Sequence, residues 1–244
     1  VKELMAKVRR ASKTLKWRTA ANITSHEVEQ FLSDLRDKEG LSVQTSNHYL
    51  RAIKGFTRWL VINKRLRANP LESLHMLNVR VDRRHDRRAL SSDEFSRLLE
   101  AAETGPPIEG LLGRDRAMLF VLAAWTGFRR GEIGSLTPKS FNLDTDPPTV
   151  RVGAAYSKHR REDIQILHPD LVTRLKSWLT VRQPLDDEIL FPIGEATCGV
   201  NRKTSKMIQL DLAAARRVWL AEMDDHAKRE SSDFLLYQDH NGRY

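Results

Sequence analysis

The chain has 244 residues, 40% hydrophobic and 30% charged, which suits one or two folded domains and excludes wholesale disorder. Its longest apolar run, Ala117 to Trp125, is too short to cross a bilayer, and the first residues do not read as a signal peptide. Cys198 is the single cysteine, which excludes an intrachain disulfide, a cysteine-rich metal site and a secreted small-domain scaffold.

The formal charge of +9 is unevenly spread. Residues 1–89 hold 20 Lys+Arg against 9 Asp+Glu, and the remaining 155 hold 21 against 23. The whole excess therefore lies in the first third. Such asymmetry predicts a segment that meets a polyanion, nucleic acid first, because each neutralised phosphate releases counterions. A basic but merely solvated surface is the alternative. No amphipathic helix with an exposed aromatic face points to a membrane.

Residues 24–39 read as a helix. Thr24 or Ser25 caps it, Glu27 sits in the capping-box position, and Val28, Phe31, Leu32 and Leu35 form an apolar stripe. Gly40 follows where a left-handed residue is favoured. A second helix is predicted over 43–63, with Leu50, Ile53, Phe56 or Thr57, and Leu60 inward. Its other face carries Asn47, Arg51, Lys54 and Arg58, spaced four, three and four apart. That stripe suits a phosphate or groove reader, or an ordinary solvated face. Asn69-Pro70 stops the next turn, and a short helix is expected over Leu71–Leu77. These elements make a helical domain over 1–78.

Residues 79–89 are almost without apolar side chains beyond Val79 and Val81 and read as a basic linker. Arg83, Arg84, Arg87 and Arg88 would suit a strap along a phosphate backbone. The second domain, 90–244, opens with a helix capped by Ser91 or Ser92 and running to about Ala102. A strongly apolar helix follows over Arg114–Trp125. Thr126-Gly127 interrupts it, and another helix starts near Phe128. Strand signals come next at Thr149–Val152 and Ile164–Leu167, alternating as half-buried strands do. A basic connection, Ser157-Lys158-His159-Arg160-Arg161, joins them. Helices are expected over Pro169–Val181 and Lys203–Lys228, with Leu190-Phe191-Pro192 a buried point between them. The fold class is mainly α with a small antiparallel β-sheet, α+β in all.

The sharpest string is Thr126-Gly127-Phe128-Arg129-Arg130-Gly131-Glu132-Ile133, followed by Leu136. It resembles the first arginine box of the tyrosine recombinase (phage integrase) family, T-G-apolar-R-x-x-E-apolar-x-x-L, with every position matched. The register selects Arg129, not Arg130, as the catalytic arginine and places Glu132 to brace it. Guanidinium is planar, permanently charged and able to grip two phosphate oxygens, as a phosphoryl-transfer transition state requires. The basic hairpin resembles the family's second signal, and Lys158 matches its catalytic lysine, which protonates the departing 5′ oxygen. A simple backbone contact is the other reading of Lys158; Arg160 is a further DNA-binding candidate.

The resemblance covers most of the chain: a core-binding domain including Thr45 to Leu60, then an integrase-like catalytic domain opening at Arg88–Phe95. It implies a site-specific recombinase that breaks and rejoins duplex DNA through a 3′-phosphotyrosyl link, with no metal or other cofactor and no small-molecule substrate. It also implies self-association into a tetramer on DNA and a cytoplasmic, nucleoid-associated place. The family's H-x-x-R box, later His or Trp, and nucleophilic tyrosine are expected beyond Tyr244. His240-Asn241-Gly242-Arg243-Tyr244 spells H-x-x-R-Y, but Asn-Gly is a turn signal. Tyr49, Tyr156 and Tyr237 read as packing residues. The chain to Tyr244 is expected to bind DNA without cleaving it. Val1 in place of Met suits a fragment, a processed form or an alternative start. A shortened, non-catalytic relative that only occupies recombination sites is the alternative.

Overall fold

Helices α1 (Lys2–Thr14), α2 (Ser25–Asp37) and α3 (Val43–Ile62) build the first of two units in this computed structural model. The units span residues 1–86 and 87–244, and the structure describes residues 2–84, 87–157, 159–224 and 231–244. The start of α2 follows from its sequence: the Thr24 hydroxyl accepts the Glu27 N–H. Ser42 caps α3 in the same way through Thr45. The stripes then meet, burying Val28, Phe31, Leu32 and Leu35 of α2 against Leu50, Ile53 and Leu60 of α3. Phe31 and Tyr49 pack edge to face with centroids 5.8 Å apart. Thr57 rather than Phe56 is the fully buried residue of its pair. Gly40 takes the expected left-handed φ of +65°.

One expectation fails in this unit. Leu71–Leu77 is not a helix: a turn carries Leu71 into the core and the chain then runs without regular structure to Asn78. The physical reason is a set of side chains on α3 that hold this backbone. Asn47 donates to the Leu77 carbonyl (2.8 Å) and accepts its N–H (3.0 Å), while Lys54 reaches the carbonyls of Glu72 and Leu74. These bonds replace the ones a helix would supply. The first residues of the expected linker are held on this unit. Val79–Asp82 forms a 3-10 turn whose Asp82 carboxylate accepts the Val43 N–H at the start of α3. His85 and Asp86 of the expected linker lie outside the described residues.

The second unit starts with α4 (Ser92–Thr104), whose N-terminus is a capping box: Ser91 takes the Glu94 N–H and Glu94 takes that of Ser91. Helix α5 (Gly113–Thr126) is buried around most of its girth from Arg116 to Leu122, as its unbroken apolar run requires. It packs on α4 and on α7 (Pro169–Arg182), whose Leu171, Leu175 and Trp178 point inward. A four-residue helix, α6 (Arg130–Ile133), leads to the sheet. Strands β1 (Phe141–Asn142), β2 (Thr149–Val152) and β3 (Asp163–Ile166) form an antiparallel sheet in that order. β1 was not legible. The alternation of β3 is legible in the sequence, but the side it buries is not. Val150 and Val152 point into the core, Gln165 stands opposite Val150, and Ile164 and Ile166 face outward. Leu190 and Phe191 are fully buried, as expected. After a short α8 (Glu195–Cys198), helix α9 (Thr204–Glu222) packs on α4. The expected extension of α9 through Lys228 reaches residues outside the described set.

Candidate functional site

The arginine box is a helix end, a reversal and a helix start in immediate succession. The Thr126 hydroxyl donates to the Leu122 carbonyl (2.6 Å) and accepts the Phe128 N–H (3.2 Å). Gly127 caps α5 at φ +66°, a conformation that costs other residues free energy. The chain then turns extended at Arg129, the residue that caps α6. Glu132 closes the turn: one carboxylate oxygen takes the Arg129 backbone N–H (2.7 Å), the other its guanidinium Nη1 (2.9 Å). Glu132 is 8% exposed at its side chain and Arg129 is 59% exposed. The carboxylate thus holds the guanidinium from the protein side and leaves most of that cation open to solvent. Ile133 and Leu136, the two apolar positions that follow, are buried in the core.

The neighbouring Arg130 is engaged elsewhere, with the Ile193 and Arg202 carbonyls and the Asn201 side chain. The hairpin between β2 and β3 carries a buried Ser157 and an exposed Arg160 whose N–H returns to the Ser157 carbonyl (3.0 Å). Lys158 lies outside the described residues.

The other basic candidates separate into two groups. Arg58, Arg83 and Arg87 are exposed. Asn47, by contrast, is 8% exposed and its amide is spent on Leu77, so the spacing that put it on an open face gives way to a structural clasp. Arg51 donates to the Met76 sulfur (3.7 Å), and Lys54 is held by two carbonyls. Arg84 binds Asp82 (2.8 Å) and the carbonyls of Gly40 and Leu41. The Asp82 carboxyl is held below its usual range by Arg84 and then by the Val43 N–H.

Arg88 departs furthest from an open strap. Its guanidinium grips both oxygens of Glu94 (3.0 and 2.9 Å) and the Leu236 carbonyl (2.7 Å), with its side chain only 15% exposed. Burial pushes the Glu94 carboxyl up. The donors from Arg88, Ser91 and Leu235 outweigh that effect and hold it below the ordinary carboxylate range.

The H-x-x-R-Y string at the end of the described chain is a turn. Gly242 has φ +77°, Asp239 accepts the N–H groups of Asn241 and Arg243, and Arg243 Nε returns to Asp239 (2.7 Å). The His240 ring pairs with Asp233. Tyr244 packs edge-on against Tyr237. Sequence reasoning missed Arg116, Asp211 and Arg202, buried or loop-locking residues whose partners are remote in the chain.

Comparison with known proteins follows the same division of the chain. The model of the phage integrase family matches residues 88–238, and that of the phage integrase N-terminal SAM-like domain matches residues 2–65. Tyrosine recombinase XerC of Salmonella typhi is 33% identical over 156 residues, covering 63% of this chain and 48% of its own. The putative integrase/recombinase y4rC of Sinorhizobium fredii is 30% identical over 172 residues, covering 66% and 46%. The chain thus spans about half the length of these curated relatives. In fold it is similar to a lambda integrase tetramer bound to a Holliday junction, with a TM-score of 0.61, 17% identity, and 88% of this chain and 56% of that one covered. It is likewise similar to the XerH site-specific recombinase bound to palindromic difH, with a TM-score of 0.59, 19% identity, and 98% and 68% covered. With its family model covering more than half of the residues, this chain belongs to the phage integrase family.

Proposed function

We propose that the protein is a site-specific DNA recombinase acting on duplex DNA through a 3′-phosphotyrosyl intermediate. The observation that carries this reading is Arg129, a permanently charged fork at the start of α6, held by a buried Glu132 and open to solvent. Such a group binds the non-bridging oxygens of a scissile phosphate and stabilises the charge that accumulates on them. Lys158, by family resemblance, gives its proton to the 5′ oxygen as that oxygen leaves phosphorus. A tyrosyl oxygen forms the new bond to phosphorus, so the linkage energy is kept in the protein–DNA ester and no nucleotide is consumed. The sequence points Asn47, Arg51, Lys54, Arg58, Arg83, Arg84, Arg87, Arg88 and Arg160 toward DNA. Of these, Arg51, Arg58, Arg83, Arg84, Arg87 and Arg160 are exposed, Arg51 and Arg84 while also bonded within the first unit. Self-association on DNA is part of the proposal, in keeping with the lambda integrase tetramer on a Holliday junction.

A second reading applies to residues 1–244 taken alone: a module that occupies DNA sites without cutting them. It is favoured by the engagement of His240 and Arg243 in a turn with Asp233 and Asp239, where an H-x-x-R box would need both free for phosphate.

One experiment separates these readings. A full-length form is incubated with a nicked duplex that traps covalent adducts, as wild type and as Arg129→Ala. Adducts lost with site binding retained support the recombinase; adducts unchanged by the substitution sink the assignment. Residues 1–244 alone, binding the duplex without adducts, support the second reading for that segment.

A further inference from the structure

Helix α6 has four residues, too few to sustain itself, because helix nucleation is unfavourable before several bonds have formed. Its geometry must be imposed from outside, and its first residue after the cap is Arg130. The Arg130 Nη2 donates to the Ile193 carbonyl, to Asn201 Oδ1 (2.5 Å) and to the Arg202 carbonyl (3.0 Å). These acceptors lie 63 to 72 residues downstream.

That downstream segment is itself locked. Arg202 donates to the carbonyls of Pro192 (2.8 Å) and Glu109 (2.8 Å), and its own N–H reaches Ile193 (3.2 Å). Phe191 and Ile193 are buried, and the Leu190 N–H bonds the Leu136 carbonyl just after α6. A Cβ on Gly134 would lie 3.1 Å from the Ile193 side chain, so α6 sits close against this segment. An exposed arginine that merely met one carboxylate would contribute little. Here a side chain bridges two stretches of chain through two main-chain carbonyls and an amide.

We infer that Arg130 is a positioning residue for Arg129: by anchoring the first turn of α6 to residues 193–202, it keeps Arg129 in the geometry in which Glu132 holds both its N–H and its guanidinium. This inference rests on the reading of Arg129 as the phosphate-gripping arginine, but its test is made on the side chain of Arg129 itself. In residues 1–244 labelled with [15N]arginine, the Nε–Hε cross-peak of Arg129 is the one lost in Arg129→Ala. Arg130→Ala is expected to move that cross-peak toward the position of an unconstrained arginine and to speed its exchange with water several-fold. Arg130→Lys, which still reaches part of the acceptor set, restores some of the shift. Asn201→Ala, which leaves both arginines in place, moves it the same way by less.

An Arg129 cross-peak unmoved in folded Arg130→Ala overturns the inference. Should Arg130→Ala not fold, a cross-peak unmoved in both Arg130→Lys and Asn201→Ala overturns it equally. Adduct formation indifferent to Arg129 would instead sink the recombinase reading, while leaving a measured Arg130–Arg129 coupling intact.

Discussion

Arg116 and Asp211 meet as a closed fork in the core of the second unit, Nε to Oδ2 at 2.9 Å and Nη2 to Oδ1 at 2.8 Å, across 95 residues of chain. The two side chains are 0% and 2% exposed, and Arg116 Nη1 is satisfied by the carbonyls of Pro106 and Leu111. With Nη2 also reaching the Ala102 carbonyl (3.4 Å), every donor is used and the buried charge is tolerated; removing one partner strands the other. Asp211→Ala is therefore expected to destabilise the second unit by about 3–5 kcal/mol, whereas Arg116→Leu with Asp211→Leu costs much less. Urea unfolding of the two variants checks this. Equal losses would show that the pair itself, rather than the stranded charge, sets the cost.

Glu94 gives the second unit an acid limit. Its carboxyl titrates lower folded than unfolded, so the stabilisation is complete above the unfolded value of about 4.3 and disappears as pH falls through the folded one. Wild-type Tm is expected to drop steeply in that acid window. Glu94→Gln, which keeps an acceptor but no charge, should start lower at neutral pH and show a flatter profile. A wild-type slope equal to that of Glu94→Gln would remove Glu94 as the cause.

Asn47 tests what its face of α3 is for. Asn47→Ala leaves the Leu77 N–H and carbonyl without their partners, at a cost of about 1–3 kcal/mol. Thermal unfolding of the first unit should register that loss. The salt dependence of DNA binding by the folded variant should match wild type, because no phosphate contact has been removed.

Arg58 is the opposite case on the same helix. Duplex affinity is expected to fall steeply between low and physiological salt, and Arg58→Ala should reduce the slope of log K against log salt by about 0.9. The measurement is a salt titration of binding to duplex DNA. A slope unchanged by the substitution would take Arg58 off the phosphate path.

What could be read from residues alone was whatever closes over a short stretch of chain. The caps at Thr24 and Ser91 and the apolar stripes over 24–39 and 43–63 declare α2, α3 and α4, while the Ser42 cap shows only in the structure. The Arg129–Glu132 pair closes within four residues, which is why a short string announces it. Helix α1 was silent because it buries only Val8 and Ala11. Leu71–Leu77 misled because its conformation is dictated by Asn47 and Lys54, well upstream. Ile164 and Ile166 revealed a strand but not its inward side, which the register with Val150 decides. Arg88 looked like a phosphate strap because its partners include a carbonyl 148 residues away.

That Arg88 clamp has a mechanical consequence. Arg88 N–H bonds the Tyr244 carbonyl (2.7 Å), its guanidinium holds Leu236, and Glu94 holds the Leu235 N–H (2.8 Å). The first and last described stretches of the second unit are thus fastened to each other, and the polypeptide between them runs as a closed circuit. Neither stretch frays without loss to the other: peeling residues 233–244 takes the Leu235 N–H from Glu94 and the Leu236 carbonyl from Arg88, and pulling on Arg87 loosens Leu236. Local opening at one extremity is therefore felt at the other, and the two should exchange their amide hydrogens as one cooperative unit.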